Sequence, residues 1–328
     1  MLKLNMNFFY NRDNDRKDYR FDHNNRFDKY DRSDKNDRFD KSDRFDKCDR
    51  PDKSDRFDKC DDDKKDTHCK TDTNKPDCKD IPLIKWGPFA KLGTDASELL
   101  TGTSVDGKGG DDTIQGGNGN DMFAGGKGND YLQPGAGDDS LDGGPGDDTI
   151  GGGPGNDLIY GSDGNDSLSG GPGNDTIYGG KGDDSISGSS AGNDCIFGGC
   201  GNDTINGGID DDVIRANAGD DFLVGNTGDD KIYGDAGNDF IRGDAGNDTL
   251  CGGCGDDTFF FGATTGNDTV LDFGGDDVID ARGMGLTNWA AVEASLTFAA
   301  DGATLSKGGN TVFLSGITSL SAGDFVFT

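Results

Sequence analysis

The chain has 328 residues, 57 of them glycine and only 2 histidine, and a formal net charge of −31. Residues 1–80 balance 22 Lys and Arg against 22 Asp, so the whole imbalance lies in residues 81–328, with 10 basic and 41 acidic side chains. An acidic body excludes nucleic acid and anionic membrane surfaces, which need basic patches, and favours a metal or a polycation; no stretch approaches the ~18 apolar residues of a transmembrane helix.

Met1 to Tyr10 holds no apolar core of the roughly 7–15 residues that a secretory signal peptide needs. From 21 to 62 a period of three runs inside a period of six, as in Phe39-Asp-Lys-Ser-Asp-Arg44 and Phe45-Asp-Lys-Cys-Asp-Arg50. Period three drifts around a helix and alternates faces in a strand, so neither gains a steady apolar face. Residues 1–80 are therefore expected to be a disordered, charged, low-complexity arm. Residues 81–92 are the first apolar cluster, and 93–101 fit the frame described next only loosely. Together 81–106 read as an N-terminal cap with a degenerate repeat.

From Gly107 to Phe260 one nine-residue unit, GGxGxDxUx, recurs with U aliphatic or aromatic. Nine copies fill 107–187, Gly188 is an extra residue, and eight more fill 189–260. Position eight is always Ile, Leu or Phe, and position five is always Asn or Asp. Position six is always Asp: Asp112, Asp121, Asp130, Asp139, Asp148, Asp157, Asp166, Asp175, Asp184, Asp194, Asp203, Asp212, Asp221, Asp230, Asp239, Asp248 and Asp257.

Fixed-period similarity means a small unit stacked on its neighbours. The last three residues of each copy predict a very short strand with one residue facing in. The first six, rich in Gly, Asn and Asp, predict a turn. Two copies make one eighteen-residue coil, placing Asp112 over Asp130 and Asp148, and Asp121 over Asp139 and Asp157, roughly 4.8 Å apart. Such columns of carboxylates repel and the apolar centre is thin, so a cation binding many oxygens is required. Ca²⁺ fits, taking 6–8 carboxylate and carbonyl oxygens in flexible geometry; Mg²⁺ demands a tighter octahedron. Zn²⁺ needs nitrogen or sulfur ligands, which these turns lack.

These copies resemble the nonapeptide repeats of RTX (repeats-in-toxin) proteins. The resemblance implies an all-β chain: a parallel β-roll, or β-solenoid, over 107–280, with a small mixed β C-terminal cap over 281–328. It implies that the seventeen position-six Asp hold multiple Ca²⁺ ions between successive coils, with turn carbonyls completing each shell. It also implies export by a type I secretion apparatus with an uncleaved C-terminal signal, hence an extracellular location without an N-terminal signal peptide. Asp324-Phe-Val-Phe327 resembles the acidic-plus-apolar ending of that family.

Three copies depart from the pattern. Residues 189–197 lack the leading Gly pair, 207–215 carry Asp210 where Gly is expected, and 216–224 begin with Ala216. Beyond 260 the frame continues through Asp268 and Asp277; then Thr287 is positioned to cap a short helix at 289–296, and two or three strands follow. Cys251-Gly-Gly-Cys254 matches CxxC but straddles a repeat junction, and Cys200 and Cys254 lie three coils apart, too far for a disulfide.

No catalytic constellation emerges: there is no HExxH or GxSxG motif, and the paired Asp residues suit a metal ladder better than an acid–base dyad. The expectation is a secreted, non-enzymatic calcium-binding roll whose folding is coupled to Ca²⁺. The alternatives are a surface adhesin or matrix protein that binds polysaccharide or cells, and an accessory module of a secreted hydrolase or epimerase.

Overall fold

Each nonapeptide contributes one strand to a coil of two strands. In the computed structural model, which describes residues 91–327, alternate strands of the roll fall into two sheets of fourteen and eleven strands, parallel throughout except for the last strands of the larger one. The expectations for the arm and for residues 81–90 lie outside the described residues. The register advances one coil per eighteen residues: Ile114 pairs with Leu132, and Ile159 with Ile177. The chain is thus an all-β parallel solenoid of about eleven turns.

The strands are twice as long as the sequence pattern suggests. Leu158–Asp163 and Thr176–Lys181 run from position seven of one copy through position three of the next. The glycine pair continues the parallel ladder instead of turning; Gly152 N–H donates to the Ser169 carbonyl at 2.8 Å. Position two must then adopt positive φ, as at Gly144 (φ 104°) and Gly171 (φ 111°). Where glycine is replaced there, Lys108, Ser162, Ser189, Asn217, Asn226, Asp235 and Asp244 hold the same positive-φ backbone, and all but Lys108 are short polar side chains, among which Asn and Asp tolerate it best.

Position eight faces inward on both sheets. Ile159, Ile177, Ile196 and Ile214 in one sheet, and Leu132, Ile150, Leu168 and Ile186 in the other, are at most 2% exposed. Two files of single side chains therefore make up the roll's core, and everything else in a coil is turn or outer face. Outward rings also stack along the coils, Tyr160 on Tyr178 at 4.9 Å and Tyr178 on Phe197 at 4.8 Å, one coil spacing each.

The extra residue is absorbed locally. In Ser185–Ala191 the register slips by one, with Gly171 opposite Ser189 and Pro172 opposite Ala191. Gly188 takes the leading glycine place of its coil, against Asp194 Oδ2 and the Gly207 carbonyl. The glycine that residues 189–197 lack is thus supplied by the residue before them.

At the C-terminal end Asn310–Ser315 joins the roll in parallel beside Asn267–Val270, then pairs antiparallel with Gly302–Lys307, which pairs with Leu296–Phe298. Leu286, Val292, Leu305, Val312, Leu314 and Phe325 are buried there and cover the last coil. The short helix Trp289–Glu293 starts where expected but ends earlier, and its cap is Asn288 in place of Thr287, accepting from Ala291 N–H. No described helix is long and apolar enough to cross a membrane.

Candidate metal centre

The turn between two strands is held by two rows of side-chain oxygens running in opposite directions. At position six each Asp N–H donates forward to Oδ1 of the Asp one coil later: Asp112 to Asp130 (2.7 Å), Asp139 to Asp157 (2.8 Å), Asp157 to Asp175 (2.8 Å). At position five the N–H of fourteen of the seventeen copies donates backward to Oδ1 of the preceding coil, as Asn129 to Asp111 (2.9 Å), Asp147 to Asn129 (3.1 Å) and Asn165 to Asp147 (2.9 Å). The two rows satisfy turn amides that a strand ladder cannot reach.

Both positions accept one hydrogen bond, yet their chemistry differs. Position five is exposed and mixes Asn with Asp, because any Oδ1 acceptor suffices. Position six is at most 4% exposed in all seventeen copies and is never Asn. Its invariant charge therefore belongs to the second oxygen. In fifteen of the seventeen a buried carboxylate oxygen has no hydrogen-bond partner: Oδ2 of Asp112, Asp130, Asp139 and Asp148 among them, and Oδ1 of Asp121. Orphaned buried carboxylate oxygens in register on every coil require a cation, since each would otherwise carry a full desolvation cost.

The position-one glycine supplies the room. A Cβ on Gly161 would press on Asp166 Oδ2 and the Gly179 carbonyl, and one on Gly152 on Asp157 Oδ2 and the Gly170 carbonyl. Carboxylate and carbonyl oxygens thus converge where a side chain would otherwise sit. No group of three or more His, Cys, Asp or Glu side chains converges among the described residues. A complete shell therefore has to draw on backbone carbonyls, the hard, all-oxygen donor set of Ca²⁺ and not the nitrogen and sulfur set of Zn²⁺.

Burial pushes the carboxyls of Asp112 and of the position-six Asp from Asp130 onward up from the ordinary 3.8, and neighbouring carboxylates push most of them further. Asp148, Asp203, Asp212 and Asp239 rise to about 8, and Asp157, Asp175, Asp184 and Asp230 to about 7. The backbone N–H bonded to Oδ1 works against the rise in each. A divalent cation at the orphaned oxygens reverses that balance and keeps the columns ionised.

The columns pass through the irregular copies. Asp175 N–H reaches Asp194 Oδ1 (2.8 Å), Asp194 reaches Asp212 (2.9 Å) and Asp203 reaches Asp221 (2.6 Å). They also extend past 260, where Asp248 donates to Asp268 (3.1 Å) and Asp257 to Asp277 (2.9 Å). The acceptor role of position five was missed in the sequence, although its restriction to Asn and Asp was the signal. Away from the turns, Cys251 Sγ donates to Asp272 Oδ2 at 2.9 Å. Burial and that carboxylate raise its thiol strongly, so Cys251 stays protonated and inert. Cys200 and Cys254 are separated by the paired Ala218 and Ala236, three coils in all.

The model of the RTX calcium-binding nonapeptide repeat (four copies) matches in six segments between residues 93 and 283. No curated protein matches the chain. Among solved structures it is similar to the AlgE6R3 subunit of the Azotobacter vinelandii mannuronan C5-epimerase, at 33% identity over 37% of this chain and 79% of that one, with a TM-score of 0.31. It is also similar to the extracellular lipase LipA of Serratia marcescens (20% identity, 67% of this chain, 40% of that one, TM-score 0.30). A third is a Ca²⁺-dependent β-helical antifreeze protein from an Antarctic bacterium (23%, 58%, 83%, TM-score 0.28). With the family match spanning more than half of its residues and a carboxylate ladder on every coil, this chain belongs to the RTX calcium-binding nonapeptide repeat family and binds Ca²⁺ at multiple sites.

Proposed function

We infer that this is a secreted calcium-binding protein whose roll folds as it takes up Ca²⁺. The observation that carries the reading is the row of orphaned, buried carboxylate oxygens at position six, a position that is never Asn. Asp112 through Asp257, as enumerated above, hold the ions, each carboxylate shared between the turns on either side of it. A chain whose columns repel and whose core is two files of single side chains draws its folding free energy from metal binding.

That coupling suits export. In a low-calcium cytosol the chain stays unfolded and passes a type I apparatus; outside, at millimolar Ca²⁺, it folds. Four segments divide the work: an arm at 1–80, an N-terminal cap at 81–106, the calcium roll at 107–280, and a cap with the export signal at 281–328. No catalytic role is assigned to any of them.

Limited proteolysis tests the reading. With a chelator, a nonspecific protease should cut throughout 107–260; with millimolar Ca²⁺, but not Mg²⁺, one large fragment covering the roll should survive. Equal protection of that fragment under chelation would show that folding does not depend on the metal.

A further inference from the structure

One outer face of the roll carries no charge. In the eleven-strand sheet, the eight strands from Leu99–Thr101 to Phe222–Thr227 contain no Asp, Glu, Lys or Arg. Over the same span the fourteen-strand sheet carries Asp142, Asp163, Lys181 and Arg215. The chain has a net charge of −31, so two copies repel wherever their acidic turns face each other. The uncharged face is where that repulsion is least.

Position seven points outward on this face, beside the inward position eight. Its residues pair coil by coil in the order Tyr131, Thr149, Ser167, Ser185, Thr204, Phe222. All six are exposed. The file reads the same from either end: aromatic, Thr, Ser, Ser, Thr, aromatic. Beside it, position nine reads Gln133, Gly151, Ser169, Ser187, Asn206, Val224. Gly151 lines a recess of about 530 Å³ together with Gln133 and Ser169. Its counterpart counted from the other end, Asn206, is exposed, and its Oδ1 accepts from Asn226 Nδ2 at 2.6 Å.

We propose that two copies of the chain pack face to face through this sheet, antiparallel, about a twofold axis between Ser167 and Ser185. A twofold contact is self-complementary: where residue i meets residue j, j meets i. Reversing the coil order sets Tyr131 against Phe222, Thr149 against Thr204 and Ser167 against Ser185, and brings Asn206 over the recess at Gly151. Phe222 is already fixed by stacking on Phe240 at 5.0 Å, so it offers Tyr131 a rigid ring. Thr113 and Phe240 meet each other in the same register, and between them the file covers seven coil steps, about 34 Å. Six-residue strands are about 20 Å long, which gives a face of about 700 Å² per copy. A stable interface buries roughly 800 Å² per partner. The rim charges Arg242 and Asp244 pair with each other.

Sedimentation velocity of the full chain, with millimolar Ca²⁺ and reduced thiols, tests this. Wild type should form a dimer that is no weaker at high salt than at low, since salt screens the repulsion and leaves an uncharged contact intact. The double variant Thr149→Lys, Thr204→Lys sets like charges opposite each other twice and should weaken association by roughly ten-fold or more. The double variant Thr149→Lys, Thr204→Glu sets opposite charges in the same two places and should restore the dimer. Both change exposed strand positions, and circular dichroism in Ca²⁺ separates a failure to fold from a failure to associate. A monomeric wild type, a Lys/Lys variant that dimerises normally, or a Lys/Glu variant as weak as the Lys/Lys one would each overturn the proposal. A monomer that dextran retains, and that loses this retention in the Lys/Lys variant, would assign the face to a neutral glycan instead.

Discussion

Asp157→Asn is expected to empty the calcium sites on both sides of residue 157 while leaving its backbone geometry in place. The substitution keeps Oδ1, which accepts from Asp139 N–H at 2.8 Å, and removes the charge at Oδ2, which is buried and without a partner. If position six served only the turn, Asn would be harmless there, as it is at position five. Because the charge is required, bound calcium should fall by the neighbouring sites alone, with distant coils intact, as expected of a solenoid in which each repeat touches only its neighbours. The stability cost should be on the order of 4 kcal/mol or more, the exceptional range to which loss of a bound metal belongs. Asp138→Asn, one position five over, should stay within about 0.5 kcal/mol of wild type, like most exposed substitutions. Calcium counting on the purified variants and thermal melts in millimolar Ca²⁺ measure both. Similar effects from the two substitutions would remove the distinction between the rows.

Acid is expected to stand in for calcium in the chelated chain. From Asp130 onward the folded-state carboxyls at position six are raised, to about 8 at Asp148 and Asp239 and to about 6 at Asp130 and Asp166, whereas the unfolded chain titrates near 3.8. Between those limits the folded state binds more protons than the unfolded one, so stability falls as pH rises. Lowering the pH from about 8 toward 4 should therefore raise the β signal of the calcium-free chain, with the gain complete below the unfolded value. The same linkage requires calcium to displace protons, so its affinity should drop over that window. Titration calorimetry in buffers of different ionisation enthalpy would detect the released protons. No proton release between pH 6 and 8, or a chelated chain that loses β structure on acidification, would contradict the buried-carboxylate picture.

Much of this architecture is legible in the residues because the unit repeats. Invariant Asp at position six and invariant Ile, Leu or Phe at position eight give the coil, its eighteen-residue register and its oxygen-lined turns. What the pattern hides is what glycine does. A glycine pair reads as a turn, yet here it extends the strand, because backbone hydrogen bonds to neighbouring coils on both sides hold it in the ladder. Gly188 reads as an insertion between copies, yet it fills the leading place against Asp194. The role of position five follows from a backbone donor one coil away, a partner that no local window of sequence contains. At the helix the local rule was sound and its position was off by one: Asn288 caps better than Thr287 because its carbonyl oxygen reaches Ala291 N–H.

The central claim is that metal binding and folding of the roll are one event. Far-UV circular dichroism of the full chain, chelated and then titrated with Ca²⁺ beside a parallel Mg²⁺ titration, tests it most directly. A cooperative gain of β signal with Ca²⁺ and none with Mg²⁺ is the predicted result. A β spectrum already complete under chelation at neutral pH, or one that never appears with Ca²⁺, would show that the carboxylate columns do not govern folding.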